Sequence, residues 1–255
     1  MVRRPVAGLV LVAGAALFGC RASTVSVAFT PAVGQRYAYR YEIDATVTRT
    51  VEGGHPQVEH VATELDVLQQ VVAITADGAR IRLELTRDHG TPRVAVVLVD
   101  RAGSLEGVPL GEGLDAAALG LGQDESLGPT RLTAPPDHPL APGDRWTIRG
   151  PQEHGSGRLD RLGVIDDQDV AVVATTLTED LTEVGQADTS ATHLTGSSTT
   201  NATTSYDLHG GAIRRAGSHT KGTVHATLAP PAGTTAAPVH ATITYDVTVR
   251  VTRTS

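Results

Sequence analysis

The chain has 255 residues, 40% of them hydrophobic but only 3% aromatic, and carries 21 Lys and Arg against 28 Asp and Glu for a formal net charge of −7. An acidic chain whose single lysine is Lys221 lacks the clustered cations that bind phosphate, which argues against nucleic acid or anionic lipid as the main partner. With one cysteine no internal disulfide forms, so aliphatic burial must hold the fold, and the length allows one large β domain or two small ones.

Arg3 and Arg4 open the chain, and Val6 to Phe18 is an unbroken run of 13 apolar and glycine residues. A spanning helix needs ~20 such residues; this length suits the hydrophobic region of a signal peptide. Leu17-Phe18-Gly19-Cys20 follows, with the small Gly19 before the lone cysteine. The segment over residues 1–20 resembles the signal sequence and lipobox of bacterial lipoproteins, with Phe18 bulkier than usual. The resemblance implies cleavage between Gly19 and Cys20 and a diacylglyceryl group on the Cys20 thiol. It also implies an exported protein held to the cell envelope by that lipid, on the outer face of the cytoplasmic membrane or, in a two-membrane bacterium, on the outer membrane. Each buried methylene adds ~0.8 kcal/mol, so two or three acyl chains make a lasting anchor. Residues 1–19 contain two arginines and no acids, so their removal takes the charge from −7 to −9.

Residues 20–33 read as a lipidated start and short tether, and 34–255 as one β-rich domain. From Arg36, the odd positions Tyr37, Tyr39, Tyr41, Ile43, Ala45 and Val47 alternate with polar even positions, which is the period of a two-faced strand. Val61 to Ala73 continues the scheme, Asp77-Gly78 signals a hairpin, and Ile81, Leu83 and Leu85 face one way against Arg80, Arg82 and Glu84. Val94 to Val99 is apolar on both parities.

Residues 100–142 read as a connector, with one short helix over Asp115 to Leu121 and then Pro129, Pro135, Pro136, Pro139 and Pro142. Beyond it, Gly143-Asp144-Arg145-Trp146 echoes Gly34-Gln35-Arg36-Tyr37, so the domain reads as two similar halves, about 34–99 and 143–253. Further strands are expected over Gly157 to Ile165, Val170 to Leu177, Thr192 to Leu208, Ala212 to Leu228 and Val239 to Arg253. Asp166 to Asp169 and Gly155-Ser156-Gly157 are expected as turns, and Glu179, Asp180 and Glu183 as an exposed bend. Strands of this length exceed the usual five or six residues and predict a large curved antiparallel sheet, a half-barrel or barrel wall.

The chemistry is sparse. Residues 189–205 hold eleven Ser or Thr, which reads as a solvent-facing strand. The ten histidines show no metal-ligand spacing; His225 and His240 fall on adjacent strands and His219 shares the face of His225. No nucleophile elbow and no phosphate loop occurs, so no catalytic, metal or cofactor residues are assigned. The Tyr37, Tyr39 and Tyr41 stripe stands out: it lines a greasy cavity with hydroxyls at the mouth, or it is the core face of the opening strand.

Together, anchor and pattern resemble the half-barrel envelope lipoproteins of the LolA and LppX kind. That resemblance implies a carrier of lipid or lipoprotein in a cavity beneath a helical lid, although the short, glycine-rich helix here departs from such a lid. The expected function is a non-enzymatic lipoprotein binding an apolar or amphiphilic ligand, with Tyr37, Tyr39 and Tyr41 as candidate ligand-facing residues. The alternatives are an interaction lipoprotein contacting another envelope component, its partner undefined, and a hydrolase on a β scaffold.

Overall fold

The computed structural model of the chain describes residues 24–76, 78–87, 90–100, 105–106, 135–136, 138–187, 190–230, 235 and 237–255. The expected signal peptide, the Gly19–Cys20 cleavage site, the lipidation site itself and the connector helix lie outside them. The described residues form strands and no helix: β1 (Arg36–Val51), β2 (Gln57–Ile74), β3 (Gly78–Arg87), β4 (Arg93–Asp100), β5 (Leu105–Glu106), β6 (Arg145–Arg149), β7 (Glu153–Ile165), β8 (Gln168–Ala187), β9 (Ser190–Asp207), β10 (Ile213–Leu228) and β11 (Val239–Arg253). They make one open sheet in the order β5-β4-β3-β2-β1-β11-β10-β9-β8-β7-β6. Every ladder is antiparallel. Two meanders, β1 to β5 and β6 to β11, meet where β1 pairs β11 from Tyr39↔Arg253 to Val51↔Ala241.

The turn at Asp166-Asp167 follows the expected chemistry. Asp166 and Asp167 both have positive φ, 50° and 59°, the pair of left-handed residues that a two-residue hairpin needs. Two expectations are corrected. Glu179, Asp180 and Glu183 lie inside β8, because the Ser/Thr-rich β9 continues and pairs with them at Glu179↔Ser198, Asp180↔Ser197 and Glu183↔Leu194. Gly155-Ser156-Gly157 lies inside β7. There Gly157 faces Trp146, and the indole occupies the space a Cβ would take.

The echo between the halves is structural as well. Gly34 and Gly143 both have positive φ, 85° and 97°. The Gly34 N–H donates to the Val71 carbonyl and the Val71 N–H to the Gln35 carbonyl (2.8 and 3.0 Å); Gly143, Leu159 and Asp144 repeat the exchange at 2.7 and 3.0 Å. A side-chain oxygen closes each turn, Gln35 Oε1 on the Ala32 N–H and Asp144 Oδ2 on the Ala141 N–H. In both halves the register slips by one residue just after the paired position, at Val71/Ala73 and Leu159/Arg161. Val71 and Leu159 are fully buried, so each copy anchors its bulge with one aliphatic side chain, a burial contributing ~1.5–3 kcal/mol.

Cross-strand register sorts the side chains onto two faces. One is polar: Arg40, Glu42, Asp44 and Thr46 on β1, Thr244, Asp246, Thr248 and Arg250 on β11, and His219, Lys221 and Thr223 on β10. The other is apolar: the odd residues of β1 and β11 continue into Leu65 and Val67 on β2 and Ala216 and Val224 on β10. Its buried residues form one cluster around Tyr37, Tyr39, Val67, Val71, Ile81 and Val251, a second around Leu140, Leu159, Val173 and Tyr206, and a third around Val47, Val224 and Tyr245. Residues 24–30 pack at the base of this face. Val25 exchanges two 2.8 Å hydrogen bonds with Leu140, Val27 joins the second cluster, Phe29 meets the Tyr37 ring at 6.3 Å, and the Thr30 N–H donates to Gly210.

Candidate functional site: the apolar face and its arginine pair

β1 places Tyr37, Tyr39 and Tyr41 on the apolar face, but not equivalently. Tyr37 is 1% exposed and Tyr39 5%, both within the core, whereas Tyr41 is half-buried against the same cluster. The Tyr37 and Tyr39 rings lie tilted with centroids 6.4 Å apart. Burial pushes all three phenols above their ordinary pKa. For Tyr39 burial dominates, Tyr41 adds to it, and Arg253 and Arg214 act in the opposite sense.

Those two arginines are what the sequence reading missed. Arg253 lies opposite Tyr39, stacks its guanidinium 4.8 Å from the Tyr37 centroid and approaches Asp207 at 3.7 Å with both side chains largely buried. Arg214 is the extra residue of a β-bulge: Tyr206 and Ser205 are consecutive on β9, yet their partners on β10 are Ile213 and Arg215. Two residues before Ala216, Arg214 falls on the apolar face, and its charge acts on the Tyr39 phenol. The parity of β11, apolar through Val251, carries Arg253 in sequence; nothing in the local pattern marks the bulge at Arg214.

Buried polar groups in folded proteins nearly always find partners, and each exception asks for a cause. Among the described residues four buried side-chain atoms have none: the Tyr37 hydroxyl, Thr63 Oγ1, Trp146 Nε1 and Arg214 Nε. Tyr37, Thr63 and Trp146 belong to the apolar face, in register with Gln69, Ile43 and Gly157 respectively, and Arg214 shares the parity of Ala216 on that face. Tyr37 and Trp146 are also the matching aromatics of the two echoing turns. A buried hydroxyl without a partner costs ~1–3 kcal/mol, so Tyr37→Phe is expected to raise the stability of the ligand-free protein by about 1 kcal/mol. Urea midpoints of the two proteins measure this, and a destabilised phenylalanine variant would mean that the hydroxyl is satisfied in solution.

The polar face is built differently. Asp246 accepts from His219 Nε2 at 2.6 Å and pairs with Lys221 Nζ at 3.1 Å, and these two bonds hold its carboxyl below the usual range. Thr46 pairs with His60, His225 with Thr242 and Thr227 with His240 across adjacent strands. His225 and His240 thus share a face and a hairpin, as the sequence indicated, each bonded to a threonine. Among the described residues no three His, Cys, Asp or Glu side chains converge to hold a metal ion. Three depressions of about 450, 610 and 420 Å³ are lined mainly by residues of this face, around Lys221 and Asp246, around Glu42 and Arg250, and around Asn201 and His219.

No family model matches the chain, and no curated protein is detectably similar to it.

Proposed function

We propose that the protein is a bacterial envelope lipoprotein, held at the membrane by lipid on Cys20, that binds an apolar or amphiphilic ligand on the apolar face of its sheet and catalyses no reaction. In this reading the eleven strands curl about that face as a half-barrel, as in the carriers the sequence resembles. The observation that carries it is the set of buried polar atoms without partners on a face that is otherwise mainly apolar, with a few buried Ser and Thr. A molecule with an apolar body and a hydrogen-bonding end supplies what those atoms lack, while sites for such ligands are mostly apolar with a few placed polar groups. The aliphatic surface also runs on past the packed base: Ile43, Ala45 and Val47 on β1 lie beside Val249, Val247 and Tyr245 on β11. Toward the hairpin tips Val51, Leu228 and Val239 are 48%, 39% and 48% exposed.

The test is organic extraction of the protein purified from its own host, followed by mass spectrometry. The expected result is co-bound lipid in near-stoichiometric amount, together with acyl chains on Cys20. Extracts free of lipid, from a protein that also binds no fluorescent fatty acid, would end the ligand reading; an unmodified thiol would end the anchor reading separately.

A second reading is favoured by the three depressions on the polar face: an interaction lipoprotein that contacts another envelope component there. It predicts one dominant crosslinked partner from residues placed at Thr244 or Thr223, and no loss of crosslinking when the apolar face is altered.

A further inference from the structure

We propose that Arg214 and Arg253 form the head-group site for an anionic amphiphile, a carboxylate or phosphate carried on an aliphatic chain, at the base of the apolar face. The inference rests on the amphiphile reading above and names the chemistry of its polar end. Arg253 has Asp207 at 3.7 Å and donates its Nε to the Ser255 carbonyl at 2.9 Å, whereas no carboxylate lies within ion-pair distance of Arg214 among the described residues. The Arg214 Nε is both buried and unpartnered. A guanidinium that is partly buried and lacks a counter-charge is costly, and its planar fork of donors fits a carboxylate or phosphate with two parallel bonds.

The Tyr37 hydroxyl adds an unpartnered donor in the same cluster. A neutral head would satisfy the hydrogen bonds and leave the charge; an anion answers both. From the arginines the aliphatic row of Tyr41, Ile43, Val249 and Val247 leads away along the two central strands, a track of the right character for a chain. The net charge of −7 does not oppose this, because the acidic groups Glu42, Asp44 and Asp246 lie on the opposite face of the same strands.

The experiment uses the full chain produced in its host, stripped of bound lipid on a hydrophobic resin, and measures binding of laurate, dodecyl phosphate, dodecanol and inorganic phosphate by calorimetry. The wild type is expected to bind laurate or dodecyl phosphate at least about tenfold more tightly than dodecanol, a difference of ~1.4 kcal/mol, and to bind inorganic phosphate weakly. Arg214→Gln should erase the preference while leaving dodecanol binding intact, which also shows that the variant is folded, and Arg214→Lys should keep part of it. Equal binding of the charged and neutral chains by the wild type would overturn the head-group inference and leave the amphiphile reading standing. Failure of every chained probe would overturn both. Inorganic phosphate bound as tightly as dodecyl phosphate would overturn the inference in favour of a free-anion site.

Discussion

Raising the pH past about 10, where free tyrosine ionises, is expected to produce no tyrosinate until the sheet comes apart. The chain has five tyrosines, and burial pushes the phenol of each above its ordinary value: Tyr37, Tyr39, Tyr41, Tyr245 and Tyr206, the last to about 12. An acid whose folded pKa is raised favours the fold in its neutral form. Its contribution is complete below the unfolded pKa, near 10, and is lost as pH climbs through the folded one. For Tyr206 alone the rise to about 12 amounts to roughly 3 kcal/mol within a total stability of ~5–15 kcal/mol, and the other four act in the same direction. Phenolate absorbance, backbone circular dichroism and fluorescence of the single tryptophan, Trp146, should therefore change together between about pH 10 and 12. Phenolate absorbance rising alone near pH 10, with the dichroism of the folded sheet unchanged, would mean that the tyrosine-lined face is open to water.

Gly211→Val is expected to cost about 2–4 kcal/mol and to free the segment that packs at the base of the sheet. Gly211 has φ +68°, and a Cβ there would collide with the carbonyl oxygen of Ala28. Both backbones are pinned, Gly211 through its N–H to Asp207 at 2.8 Å and the segment through Thr30 to Gly210 at 3.1 Å, so neither yields cheaply. Releasing residues 24–30 would withdraw Val27 from its cluster and Phe29 from the Tyr37 ring. The neighbouring Gly210→Ala is the control: nothing lies within 4 Å of its added Cβ and its φ is not positive, so it should stay within about 0.5 kcal/mol of wild type. Urea midpoints with limited proteolysis near residue 24 measure both. Equal stability for the two variants would mean that the segment is not docked as described.

Much of the architecture was legible in residues. Strict alternation in Tyr37 to Val47 and Val239 to Val251 marked β1 and β11 and their faces, because the sheet buries one side. Asp166-Asp167 marked a hairpin through its tolerance of left-handed backbone. The Gly-x-Arg-aromatic echo marked the opening of a strand in each half, and in both copies the preceding turn makes the same hydrogen bonds. What failed was non-local. Glu179 to Glu183 looked like a bend because their charges suggest solvent, and only the continued pairing with β9 keeps them in a strand. Gly155 to Gly157 looked like a turn because glycine usually marks one, and the reason for Gly157 is an indole from the next strand. The tyrosine stripe left two readings open, and Tyr37 and Tyr39 are buried in the core while Tyr41 is half-buried. Arg214 shares the even parity of Ala216 and Val224, but the polar residue type at that place gave no sign that it joins the apolar face, and the bulge beside it is not marked in the sequence. Its unpartnered nitrogen emerges only from three-dimensional packing.

The adjacency of β1 and β11 at the middle of the sheet sets an order of events for a newly made chain. The opening hairpin leaves the ribosome with one side of β1 matched to β2 and the other bare. That bare side waits through the 164 residues between Ile74 and Val239, until Val239 to Arg253 arrive to occupy it. Ring closure over so long a separation is slow, and an exposed ladder invites pairing with another molecule. Until the final strand is delivered, the bare side of β1 is the expected place for one copy to pair with another.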